Sequence, residues 1–131
     1  MKFEGIYTPI ITPYDDKGSI NFDAIEAIIE DLITSGVHGL VIAGTTGEYY
    51  AQDVDERLEV MKVCKDIING RLPYIVGTGA IRTEDSVFYA EQAAKIGADG
   101  ILVATPPYAL PTERENALHA LAIDRAANLP I

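Results

Sequence analysis

Tryptophan is absent, cysteine occurs once, and basic residues number ten against twenty acidic ones. A lone cysteine, Cys64, cannot close an internal disulfide, so the fold must hold through its core, and a reducing, cytoplasmic setting fits. A formal net charge of −10 repels phosphate backbones and anionic headgroups, which argues against nucleic acid or a membrane surface as partner. No run reaches the roughly 18 apolar residues that a membrane-spanning helix needs. The opening MKFEGIYTPI lacks the apolar stretch of a secretory leader. What the chain does have is apolar content: 48% of 131 residues, enough to build one domain with a core.

That content alternates between short runs and periodic stretches. GIYTPIITP (5–13) reads as a first strand interrupted by Pro9, and Asp15 to Gly18 is turn chemistry. The spacing of Ile25, Ile28, Ile29 and Leu32 predicts a helix that stops at Gly36. GLVIAG (39–44) is a second strand, and Val54, Leu58, Met61, Cys64 and Ile68 mark a second helix. YIVGTG (74–79) is strand three. Thr83 is the expected N-cap of a third helix, which runs through Val87, Ala90 and Ala94 to Gly97. GILVAT (100–105) is strand four, Thr112 caps a fourth helix, and Leu118, Leu121 and Ala122 are its inward residues. The closing LPI reads as the opening of a fifth strand.

Strand starts therefore recur about every 30 residues, the length of a βα unit. SGVHGLVIAGTT also resembles IGADGILVATPP position for position. Short apolar strands alternating with helices imply a parallel sheet covered by helices. Two architectures accept this pattern. One is a doubly wound open sheet; the other is a (β/α)8 barrel, which typically needs about 250 residues and of which this chain would be half. Both put chemistry at the carboxyl ends of the strands, where GTTGE, GTGA and TPPY sit.

Thr45 and Thr46 lie between two glycines just past strand two. Backbone N–H groups freed there can form an anion-binding hollow, and two hydroxyls add donors suited to a small carboxylate. The alternative is that one of them makes a side-chain turn or caps the second helix. Tyr108 sits in TPPYALP, where three prolines stiffen the loop; a phenol there suits a proton relay or an interface plug, or merely covers apolar surface. Gly77-Thr78-Gly79-Ala80 is not a dinucleotide fingerprint, because the third glycine would fall at Arg82. His38 and His119 lie apart with no carboxylate at ligand spacing, which makes no metal site, and both read as surface or boundary residues. Cys64 falls on an apolar stripe and reads as core. Glu48 pairs with a cation or caps a helix, and Asp53, Asp55 and Glu56 complement the dipole of the second helix.

With these residues in hand, the sequence resembles the amino-terminal half of the dihydrodipicolinate synthase / N-acetylneuraminate lyase family. The likeness rests on TPIITPYDDKGSIN, GLVIAGTTGE, GRLPYIVGTGA and GADGILVATPPY, in order and at the family's spacing. It implies a (β/α)8 TIM barrel, with residues 1–131 as its amino-terminal (β/α)4 portion. It implies a lyase that forms a Schiff base between a barrel lysine and pyruvate or a related 2-oxo acid, without a cofactor. Its products would be those of an aldolase, a dehydratase or a condensing synthase. On that likeness Thr45, Thr46 and Gly47 bind the carboxylate, the Thr45 hydroxyl joins a proton relay, and Tyr108 reaches across a dimer interface to complete the neighbouring relay. A homodimer or a dimer-of-dimers tetramer is implied for the full-length form.

Two departures accompany the likeness. The family's YNxP segment would begin where Ile131 stands, and the Schiff-base lysine lies further on. Lys2, Lys17, Lys62, Lys65 and Lys95 occupy no strand end, so the chain alone is expected to be inactive in that chemistry. The positions of the family's feedback pocket for lysine are here Tyr49, Ile81, Asp85 and Pro107. Two of the four are apolar, which suits an ammonium group badly, and the PPY loop is similar to that of relatives acting on acidic sugars. The alternative to an enzyme is a non-catalytic half-barrel that self-associates or pairs with a complementary half, because its edges and lumen face would otherwise be bare.

Overall fold

The computed structural model describes residues 3–131; Lys2, one of the lysines considered above, lies outside them. Four parallel strands form the sheet: β1 (Tyr7–Pro9), β2 (Gly39–Ile42), β3 (Tyr74–Gly77) and β4 (Gly100–Leu102), in the order β1-β2-β3-β4. Val41 pairs with Pro9 on one side and Ile75 on the other, and Ile75 pairs with Gly100. The strands follow one another without the reversal of order that defines a doubly wound sheet. The arrangement is that of four consecutive βα units of a barrel wall.

The helices are α1 (Phe22–Thr34), α2 (Val54–Ile68), α3 (Thr83–Ile96) and α4 (Glu113–Ala127). Leu40, Ile42, Tyr74, Val76 and Ile101 project from one face of the sheet into a core shared with Ile25, Ile29, Met61, Cys64 and Ile123. Each such aliphatic side chain, fully buried, contributes about 1.5–3 kcal/mol. The other face is also apolar. Phe3, Tyr7, Val41, Ile75, Leu102 and Ile131 line a hollow of about 180 Å³ there. Glycine makes room for its two rings: a Cβ on Gly39 would lie 2.3 Å from Tyr7 Cε1, and one on Gly100 2.7 Å from Phe3 Cζ.

Most helix ends follow the sequence. Asn21 Oδ1 accepts from the Ala24 N–H at 3.0 Å to start α1, and Asp53 with Glu56 forms a reciprocal capping box on α2. Thr112 caps α4 with Glu115 in the same way, as expected. Gly97 ends α3 at φ 84°. No helix among the described residues is long and apolar enough to cross a membrane.

Several expectations need correction. Thr83 does not cap α3; the cap position is Arg82, with extended backbone and no side-chain bond, and Thr83 is the first helical residue. The inward stripe of α4 is His119, Ile123 and Ala127. Leu118 and Leu121 are exposed, since α4 closes the sheet and has a neighbouring helix on one side only. Val54 is likewise exposed, at the first turn of α2. The first strand spans three residues rather than nine: Pro9 has no N–H, one further bond runs from the Ile10 N–H to the Val41 carbonyl at 3.1 Å, and the chain then leaves the sheet. LPI is not a strand. Its backbone is tied to β4 by the bond from the Ile101 N–H to the Pro130 carbonyl, 2.9 Å, and Ile131 lines the hollow beside Leu102.

Candidate functional site

The turn after β2 is built by close backbone packing. All four residues of β2 are buried, and at Ala43 the chain turns through φ 55°. This swings the Ala43 carbonyl over β3, where a Cβ on Gly77 would come within 2.5 Å of it. Only glycine admits that approach. Gly44 follows in extended conformation, and Thr45–Gly47 form a short 3-10 turn. Two backbone bonds close it, from the Gly47 N–H to the Gly44 carbonyl and from the Glu48 N–H to the Thr45 carbonyl, both 3.0 Å. Glu48 then takes left-handed geometry, φ 54° and ψ 37°, and leads into a second 3-10 turn, Tyr49–Ala51.

Thr45 and Thr46 are exposed and Gly47 is buried. Among the described residues, the hydroxyls and backbone N–H groups of both threonines have no partner. The helix-cap alternative falls away, because Asp53 caps α2. Glu48 shapes the turn through its backbone, with no side-chain cap bond. Four donors within two residues, open to solvent at a strand's carboxyl end, can meet a small anion.

The turn is held from three directions. Its last carbonyl, on Gly47, accepts from Thr12 Oγ1 at 2.8 Å and from Gln52 Nε2 at 3.2 Å. Beyond it, the Tyr49 ring rests on Gly79, where a Cβ would meet Cζ and Oη at 3.0 Å. Arg57, on α2, lies underneath with 2% of its surface exposed. Its Nη2 donates to the Gly77 carbonyl at 2.7 Å and its Nη1 to the Gly79 carbonyl at 2.9 Å. The guanidinium carbon sits 4.6 Å from the Tyr49 ring centre and 3.8 Å from that of Tyr89. Burial pulls the Arg57 pKa down, while the two tyrosines oppose the shift.

None of Thr12, Gln52 and Arg57 was anticipated. Arg57 had a signal: it stands four, seven and eleven residues before Met61, Cys64 and Ile68, in phase with the buried stripe of α2. GTGA is explained by the same packing, since its two glycines seat the β2 turn. Tyr108, by contrast, is fully exposed at φ 67° and covers no apolar surface. No hydrogen bond or ring contact joins it to Thr45 or Thr46 among the described residues.

Other candidates separate. His38 is exposed, and its Nδ1 accepts from the Ile6 N–H at 2.9 Å. His119 is not a surface residue. It is buried against α3, with Nδ1 2.9 Å from the Thr83 hydroxyl. Cys64 is core, and burial pushes its thiol up to about 12. A groove of about 340 Å³ beside the turn is lined by Tyr49, Tyr50, Arg57, Ile81, Asp85 and Phe88, among others. It takes in three of the four positions that the resemblance assigned to a feedback pocket; Pro107 is not among its walls.

A family model described as the dihydrodipicolinate synthetase family matches residues 2–131. The chain belongs to that family. A 4-hydroxy-tetrahydrodipicolinate synthase from Chelativorans sp. is 41% identical over 98% of this chain and 44% of its own length. The enzyme of the same name from Methylacidiphilum fumariolicum has a solved structure with a TM-score of 0.95 at 34% identity, covering 99% of this chain and 43% of its own. A chloride-inhibited dihydrodipicolinate synthase from Acinetobacter baumannii, complexed with pyruvate, gives 0.94 at 33% identity over 98% of this chain and 44% of its own. The chain thus spans about 44% of these relatives, as the amino-terminal half of the family's TIM barrel.

Proposed function

We propose that this chain is the amino-terminal (β/α)4 portion of a Schiff-base lyase acting on pyruvate or a related 2-oxo acid. The reaction class is that of an aldolase, a dehydratase or a condensing synthase. Thr45, Thr46 and Gly47 hold the carboxylate, the Thr45 hydroxyl passes a proton, and Tyr108 serves the relay of a neighbouring subunit. The carrying observation is the exposed turn at Thr45 and Thr46, whose donors lack partners among the described residues, in a family where a relative is solved with pyruvate. Holding the acid end fixes where the keto carbon stands, and such positioning is worth several kcal/mol of the barrier. Lys62 and Lys65 lie on α2, Lys95 on α3 and Lys17 in the hairpin after β1. The amine that attacks the keto carbon would come from the rest of the barrel.

Borohydride reduction with pyruvate, followed by mass spectrometry, tests this reading. The chain alone should yield no adduct, and a polypeptide that completes the barrel should yield one. An absence of adduct on the completed barrel would refute the reading. In the chain alone, Thr45→Val should abolish pyruvate-induced shifts of the Thr46 and Gly47 amide resonances.

A second reading is a non-catalytic half-barrel that pairs with itself or with a complementary half. The exposed Leu102, Leu118 and Leu121, on β4 and α4, favour it. Light scattering decides: a stable, soluble monomer counts against it.

A further inference from the structure

We propose that Arg57 is a positioning residue for the Thr45–Gly47 turn, fixing both ends of that turn through the carbonyls of Gly77, the last residue of β3, and Gly79, two residues beyond it. That the turn binds a 2-oxo acid rests on the function proposed above; that Arg57 fixes its geometry does not.

Arginine at this depth is normally explained by a carboxylate partner. Arg57 has none among the described residues, and its Nε has no hydrogen-bond partner at all. Burial opposes its charge, yet a guanidinium does not give up its proton in a protein. What the side chain does contact is selective. Gly77 is where the chain entering the turn crosses β3, and Gly79 is where the chain leaving it lays down the Tyr49 ring. The two Nη groups bond the carbonyls of those same two residues, and the Tyr49 ring lies over the guanidinium. The planar fork can hold two carbonyls at a fixed separation while its face supports an aromatic ring. Lysine can do only one of these at a time. Thr45 and Thr46 lie between the two supports, so their direction follows the spacing of the supports. Among the described residues no other side chain bonds both supports, and Thr12 and Gln52 act on the Gly47 carbonyl.

The test uses the full chain labelled with 15N. One arm measures hydrogen exchange at the Gly47 and Glu48 amides, which close the turn; the other titrates pyruvate against the Thr45, Thr46 and Gly47 resonances. In Arg57→Met both amides should exchange about tenfold faster, and pyruvate should bind about tenfold more weakly. Arg57→Lys should recover part of each loss, since one carbonyl regains a charged donor. If Arg57→Met does not fold, Arg57→Lys carries both readouts, with losses of about threefold expected. Ile29→Val, a core change on α1, lowers global stability and should leave the two amides and the pyruvate affinity as in the parent. The proposal is overturned if either arginine variant that folds keeps parental exchange at both amides, or if Ile29→Val loosens them equally. Should the parent itself ignore pyruvate, the functional reading fails while the exchange arm still judges Arg57.

Discussion

The phenol of Tyr74, on β3, donates a hydrogen bond of 2.7 Å to the carbonyl of Met61, in the middle of α2. Both residues are fully buried. A helix carbonyl has two lone pairs, and this one spends its second on the sheet. The bond fixes the height of α2 against β3, and with it the level at which Arg57 meets Gly77 and Gly79.

Tyr74→Phe should therefore lower stability by about 1 kcal/mol. The Met61 carbonyl keeps its bond within the helix, so no buried acceptor is left bare. Urea unfolding checks the size. A loss above about 3 kcal/mol would mean that the phenol holds more than this one bond.

The glycines of the site should not be equivalent. A Cβ on Gly77 meets backbone at 2.5 Å, whereas one on Gly44 finds only Val41 Cγ1 at 3.8 Å. Gly77→Ala should cost about 3 kcal/mol or more and Gly44→Ala under about 0.5. Gly79→Ala should fall between, because a tyrosine ring can yield by a few tenths of an ångström where a backbone cannot. Thermal denaturation of the three variants gives the order directly.

Alkaline pH should destabilise the protein through Cys64. Its thiol ionises near 9.0 in the unfolded chain, and burial raises it to about 12 in the fold. The folded state thus holds a proton that the unfolded state releases. Stability is fully present below pH 9 and falls by about 1.4 kcal/mol per pH unit above it, until the folded thiol also ionises. Burial raises the Tyr74 phenol as well, and this steepens the fall. Denaturant titrations at pH 8 and pH 10.5 measure the slope. Cys64→Ala should flatten it by one proton's share, and thiol reagents should label Cys64 only after unfolding.

Thr12→Val removes a buried donor from the Gly47 carbonyl and leaves the weaker Gln52 bond. About 1–2 kcal/mol should be lost. The larger effect should appear locally, as faster exchange of the Gly47 amide.

β2 and β3 were legible because burial on both faces makes each a near-continuous apolar run, and β4 because GADGILVATPP resembles GVHGLVIAG. The sequential strand order follows from those repeats once the resemblance selects the barrel. Glycine spacing marked the turn at Thr45, Thr46 and Gly47 but left a side-chain turn or helix cap as open as an anion site; the carboxylate role came from the resemblance. What was lost was lost to tertiary packing. Arg57 was overlooked because stripes are read from apolar residues, and here a cation occupies an apolar position by virtue of two carbonyls and two rings. On α4 the leucines drew the inward face to positions 118 and 121, although the buried face is that of His119, Ile123 and Ala127, with His119 bonded to Thr83 of α3. Thr83 looked like a cap, but the cap is set by backbone angles at Arg82 and the hydroxyl turns to His119.

Tyr108 stands on a stiff pedestal. Two prolines precede it and Pro111 follows, and the Ala109 N–H folds back on the Pro107 carbonyl at 2.8 Å. Were another surface to close over that ring, its two side-chain torsions would be the main freedom left to freeze, and most of the gain from dehydrating a phenol would survive as net affinity. The same rigidity makes the contact exacting. A recess of the wrong depth meets a ring that cannot retract.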